Sequence, residues 1–188
     1  MLDRVGEEVA VATSIVRYAP GSYFDPHSHA LGEEFLVLEG VFSDEHGDFP
    51  AGTYVRNPPG TRHKPHSEDG CVIFVKLRQF SEQDTQPVVR TIDPTMPVNE
   101  RRTLHRFQQE HVECLRVPAG TRVAFDAHVC VRELLLLSGS CTWQQEKTRT
   151  LGPLSWIRMR PGEPLRINTL DECLIFTKTR PRYRDDFS

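Results

Sequence analysis

An all-β fold is predicted by three features of the 188-residue sequence. Its apolar residues, rich in Val, Ile, Leu and Phe, fall in short runs rather than in stretches long enough for three helical turns. Fourteen prolines and twelve glycines break those runs at short intervals, as turns between strands would. The pattern also recurs, because the interval from Gly21 to Gly40 returns between Gly120 and Gly139. Two related β units are therefore expected. Many short strands with regular turns mean a sandwich or a barrel.

Along the chain, residues 11–17, 34–38, 54–56 and 71–76 read as strands, bounded by Pro-Gly, Glu-Gly, Pro-Ala-Gly and Pro-Pro-Gly turns. Residues 79–98, polar and containing Pro and Gln, are expected to link the two units, and 100–113 reads as a short helix. The repeat carries several landmarks in order. Glu34-Phe-Leu-Val-Leu-Glu-Gly40 is matched by Glu133-Leu-Leu-Leu-Leu-Ser-Gly139, and Cys71-Val-Ile-Phe-Val-Lys76 by Cys173-Leu-Ile-Phe-Thr-Lys178. The turns at Pro59-Gly60 and Pro161-Gly162 precede those cysteines by equal intervals.

Composition excludes several function classes. Lys and Arg number 23 against 26 Asp and Glu, a net charge of −3, and there is no basic block to meet a phosphate backbone. Nucleic acid is not an expected partner. No apolar run approaches the roughly 20 residues that span a bilayer, so no membrane partner is expected either. The first ten residues carry Asp3, Glu7 and Glu8 without a basic region and apolar block, which makes the cytoplasm the expected location. The five cysteines are widely spaced and form no C-x-x-C. They read as small buried hydrophobes of a reducing compartment.

The chemistry sits in the first unit. Gly21-Ser-Tyr-Phe-Asp-Pro-His27-Ser-His29-Ala-Leu-Gly-Glu33-Glu34 is followed by Gly52-Thr-Tyr-Val-Arg-Asn-Pro-Pro-Gly60-Thr-Arg-His63. On a strand, His27 and His29 share a face at a spacing of about 6.5–7 Å. Gly32 allows a turn that brings Glu33 back beside them, and His63 arrives from a third strand. Three imidazoles and one carboxylate suit a borderline divalent ion: Zn, Fe, Mn, Co or Ni. Glu34, adjacent and at the start of the strand, is the rival carboxylate.

The combined pattern G-x5-H-x-H-x3-E-x6-G and G-x5-P-x-G-x2-H resembles the cupin superfamily without a gap. Where the second motif usually ends in Asn, this chain has Ser67, outside the metal set. The stretch 15–80 is closer still to ChrR-type cupins, which include the metal-binding C-terminal domain of the anti-sigma factor ChrR. The resemblance implies two tandem double-stranded β-helix (jelly-roll) barrels, a bicupin, with residues 1–80 as the metal-binding cupin and 99–188 as a degenerate one. It places one divalent metal ion on His27, His29, Glu33 and His63, with family spacing favouring Glu33. No His-x3-Cys-x2-Cys zinc-binding arm precedes the barrel, so sigma-factor binding is not expected.

Aligning the repeats sets Asp126 against His27, His128 against His29, Arg132 against Glu33 and Leu165 against His63. Arginine cannot ligate a metal, so an Asp126–Arg132 ion pair, or solvent exposure of both, is expected there instead. Tyr54, Arg56 and His66 are substrate or supporting candidates near the metal, Tyr54 and Arg56 because one parity of their strand faces the barrel interior. His66 also reads as an ordinary loop histidine, and His46 as solvated. Trp143 and Trp156 read as core or interface, and 180–184 as a solvated tail. Two functions follow from the resemblance. One is a mononuclear non-haem dioxygenase using Fe or Mn on a small chelating diketone, phenol or hydroxy-ketone. The other is a non-catalytic zinc-binding sensory or regulatory cupin. The apolar first strand and exposed barrel edges suggest a homodimer.

Overall fold

Strand alternation decides which side chains face inward, and in the first unit it does so from the first long strand onward. The computed structural model describes residues 1–5, 11–126, 128–145 and 147–181, and the chain divides into two compact units, Met1–Asp93 and Pro94–Arg182. The first holds β1 (Asp3–Val5), β2 (Val11–Tyr18), β3 (Ser22–Tyr23), β4 (His27–His29), β5 (Glu33–Asp44), β6 (Gly47–Pro50), β7 (Thr53–Asn57), β8 (Thr61–His63), β9 (His66–Ser67), β10 (Cys71–Leu77) and β11 (Val88–Thr91). All four expected strands of this unit are present, each somewhat longer than its sequence signal.

The main sheet runs β1-β2-β10-β5-β7-β11, with β6 and β9 paired to β5 and β3 to β9; β4 and β8 form a separate ladder. Every pairing in the unit is antiparallel. Phe35, Val37, Phe42, Val55, Ile73 and Val75 point inward as its apolar core, which is why their neighbours in sequence point out. At Gly40 the backbone takes φ 70°, and a Cβ there would run into the Gly70 carbonyl. Its counterpart Gly139 is held in the same way against the Glu172 carbonyl. Close backbone approach is what keeps both positions of the repeat as glycine.

The second unit contains β12 (Arg101–Phe107), β13 (Glu110–Val117), β14 (Arg122–Phe125), β15 (Val131–Ser138), β16 (Cys141–Gln144), β17 (Thr148–Leu151), β18 (Trp156–Met159), β19 (Leu165–Thr169) and β20 (Cys173–Arg180). They form sheets ordered β12-β13-β20-β15-β18 and β14-β19-β16-β17, with Leu134, Leu136, Ile157, Leu165, Ile167 and Ile175 in the core. Trp143 packs against that core, and the Trp156 indole donates to Glu133 at 3.2 Å. All five cysteines are buried and unpaired with one another. Burial pushes the Cys114 thiol up to about 12 and that of Cys173 to about 11, so both stay protonated and inert.

Three expectations are corrected. Residues 100–113 form no helix: β12 and β13 make a hairpin that turns at Gln108, φ 50°. The alternating burial of Glu110, Val112 and Cys114 against His111 and Glu113 is a strand period. The expected linker is in part sheet, because β11 pairs with β7. Arg180 is not in a solvated tail; it ends β20 at 1% exposure, 3.6 Å from Glu133, while 182–184 lie outside the described residues. Among the described residues no helix is long and apolar enough to cross a membrane.

The turn into β5 gives a stability test. Gly32 has φ 78°, and a Cβ there would lie 2.5 Å from the Phe80 ring. Gly32→Ala should lower the unfolding free energy by about 1–3 kcal/mol, read as a shifted urea midpoint. An unchanged midpoint would mean that the Phe80 ring yields freely.

Candidate metal centre

The β4–β8 ladder pairs His27 directly with His63, and the alternation of β4 puts His29 on the same face as His27. The three rings meet at centroid distances of 5.0, 5.0 and 4.7 Å, with one ring nitrogen of each within 4.8 Å of the others. After His29 the chain turns at Gly32, whose N–H donates to the His29 carbonyl at 3.2 Å. Glu33 then opens β5 with Oε2 3.5 Å from Nε2 of both His29 and His63. Asn57, opposite Glu33 in the β5–β7 register, donates to that oxygen at 3.3 Å.

Two of the rings are oriented by partners that can only accept. His27 Nδ1 lies 2.9 Å from the Asp25 carbonyl, and His63 Nδ1 lies 3.1 Å from Asp44 Oδ2. Each Nδ1 therefore carries the proton and each Nε2 keeps a lone pair for the centre. Asp44 is itself fixed by the His46 N–H at 2.7 Å. The Nε2 atoms of His29 and His63 are buried with no hydrogen-bond partner, an arrangement that costs free energy unless something else engages their lone pairs. A divalent cation fits these residues, because the donor set is three imidazoles with a carboxylate alongside.

The electrostatics agree. Burial, then His63 and His27, lower the His29 imidazole to about 4, so it is neutral near pH 7. Burial pushes His63 down, but the Asp44 hydrogen bond and Glu33 outweigh it and the net shift is upward. Burial raises the Glu33 carboxyl against the pull of His63 and Asn57. Burial would also raise Asp44, yet its bonds to His63 and His46 leave it below the usual carboxylate range.

One side of the centre opens on a cavity of about 340 Å³. His27, His29 and Glu33 line it beside an apolar wall that includes Val16, Phe24, Ile73 and Val75. Tyr18 and Arg78 also line it, and neither was singled out from sequence. Tyr18 shares strand parity with Val16 and could have been found that way. Arg78 carries no such signal.

The other site candidates lie elsewhere. Glu34, Tyr54 and Arg56 occupy the opposite face of the sheet, at 1%, 1% and 0% exposure. There Arg56 donates to Glu34 and to Asp84, each at 2.7 Å, and the Tyr54 hydroxyl donates to Glu34 at 2.7 Å. Val55 takes the inward position, so of the two parities it is that of Val55, not of Tyr54 and Arg56, that faces the core. His66 stacks on Tyr23 with centroids 5.8 Å apart and lies outside the cavity lining. Ser67 donates to the Val41 carbonyl at 2.6 Å. His46 is exposed, as expected.

In the second unit Arg132 meets Asp126 through the main-chain carbonyl at 2.9 Å, not through the carboxylate. Its guanidinium lies 4.9 Å above the Phe125 ring. Leu165 is 1% exposed within the core, where the first unit has His63. His128 accepts from the Cys130 N–H at 3.1 Å.

Residues 1–81 match the family model of the ChrR cupin-like domain. No curated protein matches the chain in sequence. Solved structures similar in fold include the protein Ylba from E. coli, at 15% identity and TM-score 0.71, covering 90% of this chain and 76% of that one. Bacterial pirin YhhW from Escherichia coli, solved with nickel(II), has 14% identity and TM-score 0.71 over 92% and 84% of the two chains. A point mutant of salicylate 1,2-dioxygenase from Pseudoaminobacter salicylatoxidans, solved in complex with gentisate, has 11% identity and TM-score 0.69 over 89% and 68%.

The neutral His29 makes a pH test. In unfolded chain a histidine titrates near 6.5, so unfolding takes up a proton that buried His29 refuses. The resulting stability is full above about pH 6.5 and is lost toward pH 4. For metal-free protein, the Tm of wild type minus that of His29→Asn should therefore fall as pH drops from 6.5 to 4. A difference that stays flat would show that His29 is not held neutral.

Proposed function

Because residues 1–81 match the family model of the ChrR cupin-like domain, we propose that the chain is a tandem cupin whose first barrel holds one divalent metal ion on His27, His29, Glu33 and His63. Its function on this reading is that of a mononuclear non-haem metal dioxygenase acting on a small metal-chelating substrate. The observation that carries the proposal is the cavity of about 340 Å³ bordered by two of the histidines and Glu33. A purely structural metal site is closed by protein ligands, whereas a catalytic one keeps a side accessible.

When bound, such an ion supplies Lewis-acid chemistry and, as iron or manganese, one-electron redox chemistry. The chain supplies the rest. Asp25 and Asp44 hold two imidazoles with Nε2 toward the centre. Asn57 steadies Glu33, and the apolar wall limits water around a bound substrate. The neighbouring folds support this direction, since they include a salicylate dioxygenase and a nickel-bound pirin. The proposed partner is a small molecule, and the proposed assembly is a homodimer.

Elemental analysis of protein purified without oxygen tests the reading. Wild type and His128→Ala should hold near-stoichiometric iron or manganese, and His63→Ala should lose most of it. The loaded wild type should consume oxygen with a diketone, phenol or hydroxy-ketone. Tightly held zinc that added iron does not displace, with no oxygen uptake, would favour the sensory or regulatory cupin. Equal metal loss in His63→Ala and His128→Ala would place the metal differently.

A further inference from the structure

Among the described residues Arg78 is the only lysine or arginine lining the metal-side cavity, and its position there is unexpected. It follows β10, whose Ile73, Val75 and Leu77 face the cavity. Alternation would send residue 78 to the opposite face with Lys76. Instead Arg78 takes φ 61°, a left-handed conformation that crowds any side chain with a Cβ. Its N–H donates to the Gly32 carbonyl at 2.9 Å, tying it to the turn that delivers Glu33. The reversed backbone brings the side chain to the wall it shares with His27, His29 and Glu33.

The guanidinium of Arg78 makes no hydrogen bond or ion pair among the described residues. Arg56, buried in the same unit, is by contrast held between Glu34 and Asp84. A half-buried arginine without a protein carboxylate keeps its planar fork of donors for another acceptor, and a carboxylate matches that fork in two parallel bonds. Elsewhere on the cavity wall the Tyr18 hydroxyl is likewise without a hydrogen-bond partner among the described residues. Burial, then Glu33 and Cys71, hold Tyr18 above the usual phenol range, so it is a neutral donor. The rest of the wall is mainly hydrocarbon, and the volume is at the small end of ligand sites, which run from about 300 to 1,000 Å³.

We propose that this cavity takes a small organic carboxylate with an apolar body, its carboxylate gripped by Arg78 and an adjacent oxygen directed at the histidine cluster. The inference rests on the metal reading above and narrows it: among small chelating molecules, the cavity prefers one that carries a carboxylate beside its chelating oxygen. Arg78 is then the residue that sets specificity.

The test uses cobalt(II)-loaded full-length protein and two probes of similar size, benzoylformate and 1-phenyl-1,2-propanedione. They share a phenyl ring and a chelating ketone and differ in carboxylate against acetyl. Calorimetric titration should give wild type a Kd for benzoylformate at least about tenfold below that for the dione. Arg78→Met should weaken benzoylformate about 10- to 100-fold, as loss of a charge-assisted pair would, and leave the dione nearly unchanged. Arg78→Lys should recover part of the preference. Cobalt content, measured for each variant, shows that the site is intact. Full cobalt occupancy with no preference in wild type, or a preference that survives Arg78→Met, overturns the carboxylate assignment and leaves the metal reading standing. Failure of wild type to take up cobalt overturns both.

Discussion

The register of β5 against β7 is the constraint on which the rest of the first unit depends. It sets Glu33 opposite Asn57 and Glu34 opposite Arg56, sending one carboxylate to the imidazoles and its neighbour to the other face. Because side chains alternate with a period of two, a slip by one residue would exchange them and turn Phe35 and Val37 out of the core. On the outer face Arg56 is clasped by Glu34 and Asp84, with the Phe80 ring 4.1 Å from its Cζ. Breaking such a buried set by removing one partner costs about 3–5 kcal/mol. The ion cluster thus penalises the wrong register and, at a distance, keeps Glu33 where the histidines need it.

The histidine cluster is the least comfortable part of the unit without a cation. Three imidazoles crowd together, two of their Nε2 atoms are buried without hydrogen bonds, and protonating one disfavours protonating the next. A divalent ion removes all three costs at once. Binding free energy would then be partly folding free energy, since the ladder of β4 and β8 is short and carries His27, His29 and His63. Asp44 connects this centre to the β5–β6 turn, where its other oxygen accepts from the His46 N–H.

The second unit repeats landmarks of the first with different side chains at the corresponding positions. Gly139 and Cys173 repeat the close approach made by Gly40 and Cys71, and the apolar positions again fill a core. At the site itself Leu165 has joined that core and Arg132 lies over Phe125. Backbone packing and hydrocarbon volume are satisfied by many sequences, whereas a metal centre needs particular donors at particular positions.

The sequence by itself determined the strand-rich class and the repeat, and it singled out His27, His29, Glu33 and His63, which the structure brings together, because glycine turns, alternation and the His-x-His spacing are local features. Tertiary structure decided what locality leaves open. The stretch 100–113 became a hairpin because its alternating residues found sheet partners in β12, β13 and β20. Tyr54 and Arg56 faced away because the parity of a strand is fixed by which neighbours it pairs with. Arg78 entered the cavity because one left-handed residue reverses the side to which the chain points, and no pattern of residue types records that reversal. Spacing along a strand is written in the sequence; the face it presents is settled only when the sheet closes around a core.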